Sequence, residues 1–161
     1  MKLEVIEKDC FYHIYNKGIN GQAIFSIAEN KYYFLRQFDK YLKDAVNVYA
    51  YCLMDNHFHF VVEIISDEKK VIQKFSNFFN SYAQAFNKQE GRTGSLFEKH
   101  FKRIKLKNEH YLKNLIRYVH LNPKNHLGLS FESYNFSSYK GMVSKNSTKL
   151  KRIEVLELFG V

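Results

Sequence analysis

Residues 47–54 (NVYAYCLM) and 57–65 (HFHFVVEII), separated only by Asp55-Asn56, decide the fold. The first run is apolar on both alternations, as a strand covered on both faces must be. The second alternates. On a strand, His57, His59, Val61 and Glu63 share one face, and Phe58, Phe60, Val62 and Ile64 share the other, which reads as core. Asp55-Asn56 closes the two strands into a hairpin.

Working outward, residues 11–16 (FYHIYN) read as a strand and Gly18 to Gln22 as a turn. Asn30 offers an N-cap to a helix marked by Phe34, Leu35, Phe38, Tyr41 and Leu42. After the hairpin, Asp67 caps the longest helix. Its stripe is Val71, Ile72, Phe75, Phe78, Phe79, Tyr82, Ala83 and Phe86, with Gly91 as its stop. Residues 91–98 form a basic loop, and Phe101 to Leu106 a last strand. Asn108 caps a helix whose Leu112, Leu115, Ile116 and Val119 face a core and which Pro123 is expected to end. The tail from Ser130 is irregular and aromatic, with a helical pattern at 152–159. Strand, helix, hairpin, helix, strand, helix is the order of an α+β fold: an antiparallel sheet with packed helices, ferredoxin-like in its split βαβ units. The helices are expected on one sheet face. One domain over 1–161 is expected, with 130–161 as a C-terminal extension packed on or beside it.

Composition narrows the function. The chain has 161 residues, 25 Lys plus Arg against 16 Asp plus Glu, and a formal net charge of +9. Tyr (12) and Phe (15) are abundant, and there is no Trp. Positive charge with many rings suits nucleic acid, because cations neutralise phosphates and rings stack on bases. No run approaches ~20 apolar residues, so no transmembrane helix is expected. Met1 to Cys10 lacks the apolar stretch of a signal peptide. Cys10 and Cys52 show neither a disulfide framework nor zinc spacing, so an intracellular, reduced protein is expected.

His57-Phe58-His59 carries the chemistry. Imidazoles two residues apart on a strand stand roughly 7 Å apart at Cβ and can turn toward one metal ion. Imidazole suits Mn, Fe, Ni, Cu or Zn, and a mixed nitrogen–oxygen site admits Mg or Mn. Alone, a His-x-His pair is a weak signal and reads as two ordinary histidines on a half-exposed strand. On the last long helix, Tyr118 and Asn122 differ by about 40° and share a face. Tyr118 alone reads as a boundary tyrosine with its hydroxyl in water. Together, two imidazoles and an amide oxygen could hold a metal that polarises a phosphate. A phenol could then store the phosphodiester bond as a covalent link.

Five segments, in this order, closely resemble the single-tyrosine transposases of the HUH (His-hydrophobic-His) superfamily. They are Tyr12 to Gly18, Ala50 to Phe60, Gly94 to Phe97, Arg117 to Pro123, and Ser137 to Tyr139. The resemblance spans about residues 11–140. Its nearest branch is the REP-associated tyrosine transposases, related to those of small single-strand insertion sequences. It implies a metal-dependent single-stranded DNA endonuclease and strand transferase acting in DNA transposition on hairpins of palindromic repeats. It implies Tyr118 as nucleophile, forming a 5′-phosphotyrosine link, and His57 and His59 as ligands of Mg²⁺ or Mn²⁺. The third ligand falls on Asn122, where the insertion-sequence branch places Gln. Asp55 stands where Pro is common. His120, two residues from Tyr118, points to another face and is given no role. The resemblance also implies a bacterial cytoplasmic, nucleoid-associated protein. Relatives include monomers and dimers, so a homodimer is compatible with it. Asn16, Lys17, Arg92, Lys99, Lys102 and Arg103 are the candidate DNA contacts. The alternative is a non-cutting hairpin DNA or RNA binding module derived from the same fold. A hydrolase of free nucleotides is disfavoured by the lack of a Gly-rich phosphate loop.

Overall fold

A computed structural model describes residues 3–161. Four strands, β1 (Phe11–Lys17), β2 (Val46–Leu53), β3 (His57–Ile64) and β4 (Lys102–Lys105), form one sheet in the order β2-β3-β1-β4. The helices are α1 (Ala28–Leu42), α2 (Glu68–Glu90), α3 (Glu109–Leu127), α4 (Tyr139–Val143) and α5 (Arg152–Leu158). Every neighbouring pair of strands is antiparallel. β1 and β2, linked by α1, therefore run parallel with β3 inserted between them. β3 and β4, linked by α2, likewise flank β1. These are two interleaved split βαβ units, the ferredoxin-like order.

The expectation of helices on one face is corrected by the structure, which covers both. On one face, α1 and α2 close a core built from Tyr12, Ile14, Phe34, Phe38, Phe58, Phe60, Phe75, Phe78 and Tyr82, among others. On the other, Leu112, Ile116 and Val119 of α3 pack with Tyr49, Ala50, Cys52, Val61, Met142 and Val155. β2 is the strand that requires this, since it is apolar on both alternations. A bulge between Val48 and Ala50 lets Tyr49 and Ala50 both join the α3 core while Val48 and Tyr51 pack against the other. β2 is also an edge strand, and the tail covers it. The Leu53, Ser138 and Lys151 N–H groups donate to the Phe136, Tyr51 and Val48 carbonyls at 2.8, 2.9 and 3.0 Å. Such cover removes a free edge that could pair with another chain.

Helix ends follow local chemistry. Asp67 caps α2 by accepting from the Lys70 N–H, and Gly91 ends it at φ 62. Asn108 caps α3 through the Tyr111 N–H. Two ends differ from expectation. α1 begins two residues before Asn30, whose Oδ1 accepts from the Ser26 and Ile27 N–H groups and so ties down the turn from inside. α3 does not stop at Pro123 but runs on to Leu127 and ends at Gly128, at φ 65. Proline removes one hydrogen bond from the ladder. Asn122 and Pro123 are buried, and the Gly128 N–H donates to Lys124 O at 3.0 Å, so both flanks of the missing bond are held.

Candidate active site on the histidine face of the sheet

The continuation of α3 matters because it keeps Asn122 on the helix, one turn beyond Tyr118. α3 lies across β2 and β3, over the face that carries His57 and His59. The Asn122 Oδ1 lies 3.2 Å from His57 Nε2. The Tyr118 ring stands edge-on to that of His59, at 5.8 Å between centroids and 84°. The two histidine rings are 5.2 Å apart and also edge-on. Tyr118 is 42% exposed, whereas His59 is buried and Asn122 fully so. The four residues singled out from the sequence are thus brought together by two elements.

Burial sets the charge state. Desolvation drives His59 down to about 3, helped by the neighbouring His13, His57 and His126. His57 is also lowered, chiefly by burial, against a contribution from Asn122 that favours its charged form. Neutral imidazoles present lone pairs, the form that ligates metals. A neutral His57 has one N–H, yet two amide oxygens face its nitrogens: Asn56 Oδ1 lies 2.8 Å from Nδ1 and Asn122 Oδ1 lies at Nε2. The His57 N–H can serve only one of them, so the amide oxygen and the bare nitrogen on the other side would both be open to a cation. Adjacent ligands of an octahedral ion with ~2.1 Å bonds lie about 3 Å apart, close to the His57–Asn122 separation. His59 Nε2 is buried without a hydrogen-bond partner among the described residues. The donor set of two imidazoles and one amide oxygen fits a divalent ion of the Mg or Mn kind. Among the described residues, no three His, Cys, Asp or Glu cluster as metal ligands.

Of the candidate DNA contacts, Asn16, Lys17 and Lys102 are brought together around Glu98, while Arg92, Lys99 and Arg103 are not part of that cluster. Asn16 is buried, and its side chain is spent on the Glu98 carbonyl, the Lys17 N–H and the Lys102 ammonium. Both ends of its amide are therefore engaged within the protein. Lys17 and Lys102 both pair with Glu98, at 3.6 and 2.8 Å. Arg92 donates to Asn87, Gln22 and the Ser95 carbonyl, and so braces the 91–98 loop. Lys99 is exposed. Arg103 stacks on Phe101 at 3.9 Å with its Nε buried and unpartnered. His120 turns away from the site: its Nε2 lies 2.6 Å from Ser138 Oγ, and burial lowers it to about 4.

Three residues of this face were not given roles by sequence. His13 and Tyr15 lie on β1, which pairs Tyr15 with His59. Alternation along residues 11–16 puts them on one face, and that was the available signal. His13 Nε2 lies 2.8 Å from His59 Nδ1, and Tyr15 stacks on His13 at 4.3 Å. His126, 5.6 Å from the His57 ring, follows Asn122 and Tyr118 at steps of four along α3.

No protein-family model matches the chain, and no curated protein does. Solved structures do. One is a REP-associated tyrosine transposase bound to a REP hairpin, with TM-score 0.68 and 16% identity over 90% of this chain and 85% of that one. Another is a tRNA(His) guanylyltransferase from Saccharomyces cerevisiae, with TM-score 0.51 and 10% identity over 97% of this chain and 80% of that one. At these identities the likeness is one of fold, and the fold of this chain is that of the REP-associated tyrosine transposase.

Proposed function

We propose that the chain is a single-tyrosine transposase: a metal-dependent endonuclease and strand transferase acting on single-stranded hairpin DNA of palindromic repeats. The observation that carries this reading is the convergence of Tyr118, His57, His59 and Asn122 from two elements onto one face. The fold shared with a transposase bound to a REP hairpin supports it. His57 Nε2, His59 Nε2 and Asn122 Oδ1 would hold Mg²⁺ or Mn²⁺. Such an ion neutralises charge on the scissile phosphate.

The chain's own residues do the rest. The hydroxyl of Tyr118, a residue 42% exposed, gives up its proton to solvent and its oxygen attacks the phosphorus. The bond from phosphorus to the 3′ oxygen breaks, that oxygen takes a proton, and the 5′ phosphate stays on Tyr118. Attack by a 3′-OH on the phosphotyrosine reverses the step and joins strands. One phosphodiester-level bond persists throughout, so no nucleotide cofactor is consumed. Lys17, Arg92, Lys99, Lys102 and Arg103 contribute positive charge toward the DNA backbone.

The test is a covalent-adduct assay with labelled single-stranded hairpin DNA and Mn²⁺, run on a denaturing gel. The wild type is expected to give a shifted band. Tyr118→Phe and His57→Ala/His59→Ala are expected to lose it while Tyr118→Phe still binds the hairpin. A band that persists in Tyr118→Phe overturns the mechanism. Tight hairpin binding without any band favours the non-cutting module instead.

A further inference from the structure

His13 has no part in the chemistry above, yet among the described residues it makes the one hydrogen bond of the buried His59 ring, 2.8 Å from its Nε2 to His59 Nδ1. The two rings lie 5.0 Å apart at 23°, and Tyr15 packs over His13 at 4.3 Å. A single proton sits between the two nitrogens, and its side decides what His59 shows to the site. If His13 donates, His59 must carry its own proton on Nε2, a buried N–H with nothing to accept it. Buried N–H groups without an acceptor are rare, and bare acceptors are less so. We infer that His13 accepts the Nδ1–H of His59, fixing the tautomer that leaves Nε2 bare. His13 is then a positioning residue for the site, held in place by its stacking on Tyr15. This rests on the reading of His59 as a metal ligand. Partners that orient a ligating imidazole in this way typically change metal affinity ~10–100-fold when removed.

Two measurements test it separately. Long-range ¹H–¹⁵N correlation of the metal-free wild type reads the His59 tautomer directly, and Nδ1–H is expected. Mn²⁺ titration followed by electron paramagnetic resonance then compares variants. His13→Leu is expected to bind Mn²⁺ ~10–100-fold more weakly. His13→Gln, whose Oε1 can accept the same N–H, is expected to restore most of the loss. A proton on His59 Nε2 in the wild type overturns the inference, whether or not the variants fold. So does His13→Leu binding Mn²⁺ like the wild type. A wild type with Nδ1–H on His59 but no Mn²⁺ binding supports the proton assignment and overturns the metal reading instead.

Discussion

The two faces of β3 are one residue apart in sequence and opposite in purpose. Phe58 and Phe60 point into a layer of rings under α1 and α2, where Phe38 stacks on Phe60 at 4.2 Å and Phe34 contacts Phe25, Phe58, Phe78 and Tyr82. His57 and His59 point the other way, toward α3, and although that face also carries the apolar core of α3, the packing around the two histidines is polar and incompletely satisfied. His59 Nε2 and Asn122 Nδ2 are both buried without partners among the described residues. A face built for stability pairs its groups. A face that leaves buried polar atoms unpaired carries a free-energy cost, which a bound ion or substrate would offset. The difference separates what holds the chain folded from what it is folded to present.

The ring layer gives the largest expected effect. Phe34 is completely buried and sits at its centre. Phe34→Ala should destabilise the protein by about 3–5 kcal/mol, the usual range for emptying a buried aromatic site. Urea unfolding checks this. A loss below about 1 kcal/mol would mean that the layer is not the stabilising one.

Acid should break the opposite face first. His13, His59 and His120 are each buried and lowered by desolvation, to about 4, 3 and 4, from an ordinary value near 6.5. Above pH 6.5 they are neutral whether folded or unfolded, so they leave stability unchanged. As pH falls below 6.5, the unfolded chain takes up protons that the folded chain refuses. Stability is then lost with a slope of up to about 1.4 kcal/mol per pH unit for each histidine, continuing until the folded values are reached. The thermal midpoint should therefore fall between pH 6.5 and 4.5, before most carboxylates titrate. His57, also lowered by burial, adds to the same loss, and replacing His120 by Gln removes one of these titrating groups and should flatten that curve. A midpoint that stays level over this range would contradict the burial of all three.

How much of this was legible in the sequence follows the same division. Alternation in residues 57–65 separated the two faces of β3, because a strand's period of two is rigid. Asp67 with Gly91 bounded α2, because caps are local chemistry. The double burial of β2 was visible, but its consequence, a helix layer on each face, depends on α3 crossing back, which no local pattern encodes. Pro123 misled for a related reason. Its cost to a helix is local, whereas the burial of Asn122 and Pro123 that overrides it is tertiary. Within the site, the His-x-His spacing and the Tyr118–Asn122 step could be read as two separate pairs. Neither spacing encodes their meeting, which was expected only from the chemistry of the combination and the family resemblance, and the His13–His59 contact was not expected at all. Residues 13 and 59 are joined only by the register between β1 and β3.

The smallest expected effect is the sharpest test of the division. Tyr118 is 42% exposed, its ring leans on His59, and its hydroxyl has no hydrogen-bond partner among the described residues. Tyr118→Phe keeps the ring and deletes only that hydroxyl. An exposed group with no partner contributes little to folding, so the unfolding free energy should stay within about 0.5 kcal/mol of the wild type. The same deletion is expected to abolish the covalent adduct, because the hydroxyl is the proposed nucleophile. A stabilising role would predict the reverse: a measurable loss in urea unfolding and a nuclease that survives. Measuring unfolding and adduct formation on one preparation of Tyr118→Phe therefore decides whether this oxygen belongs to the fold or to the reaction.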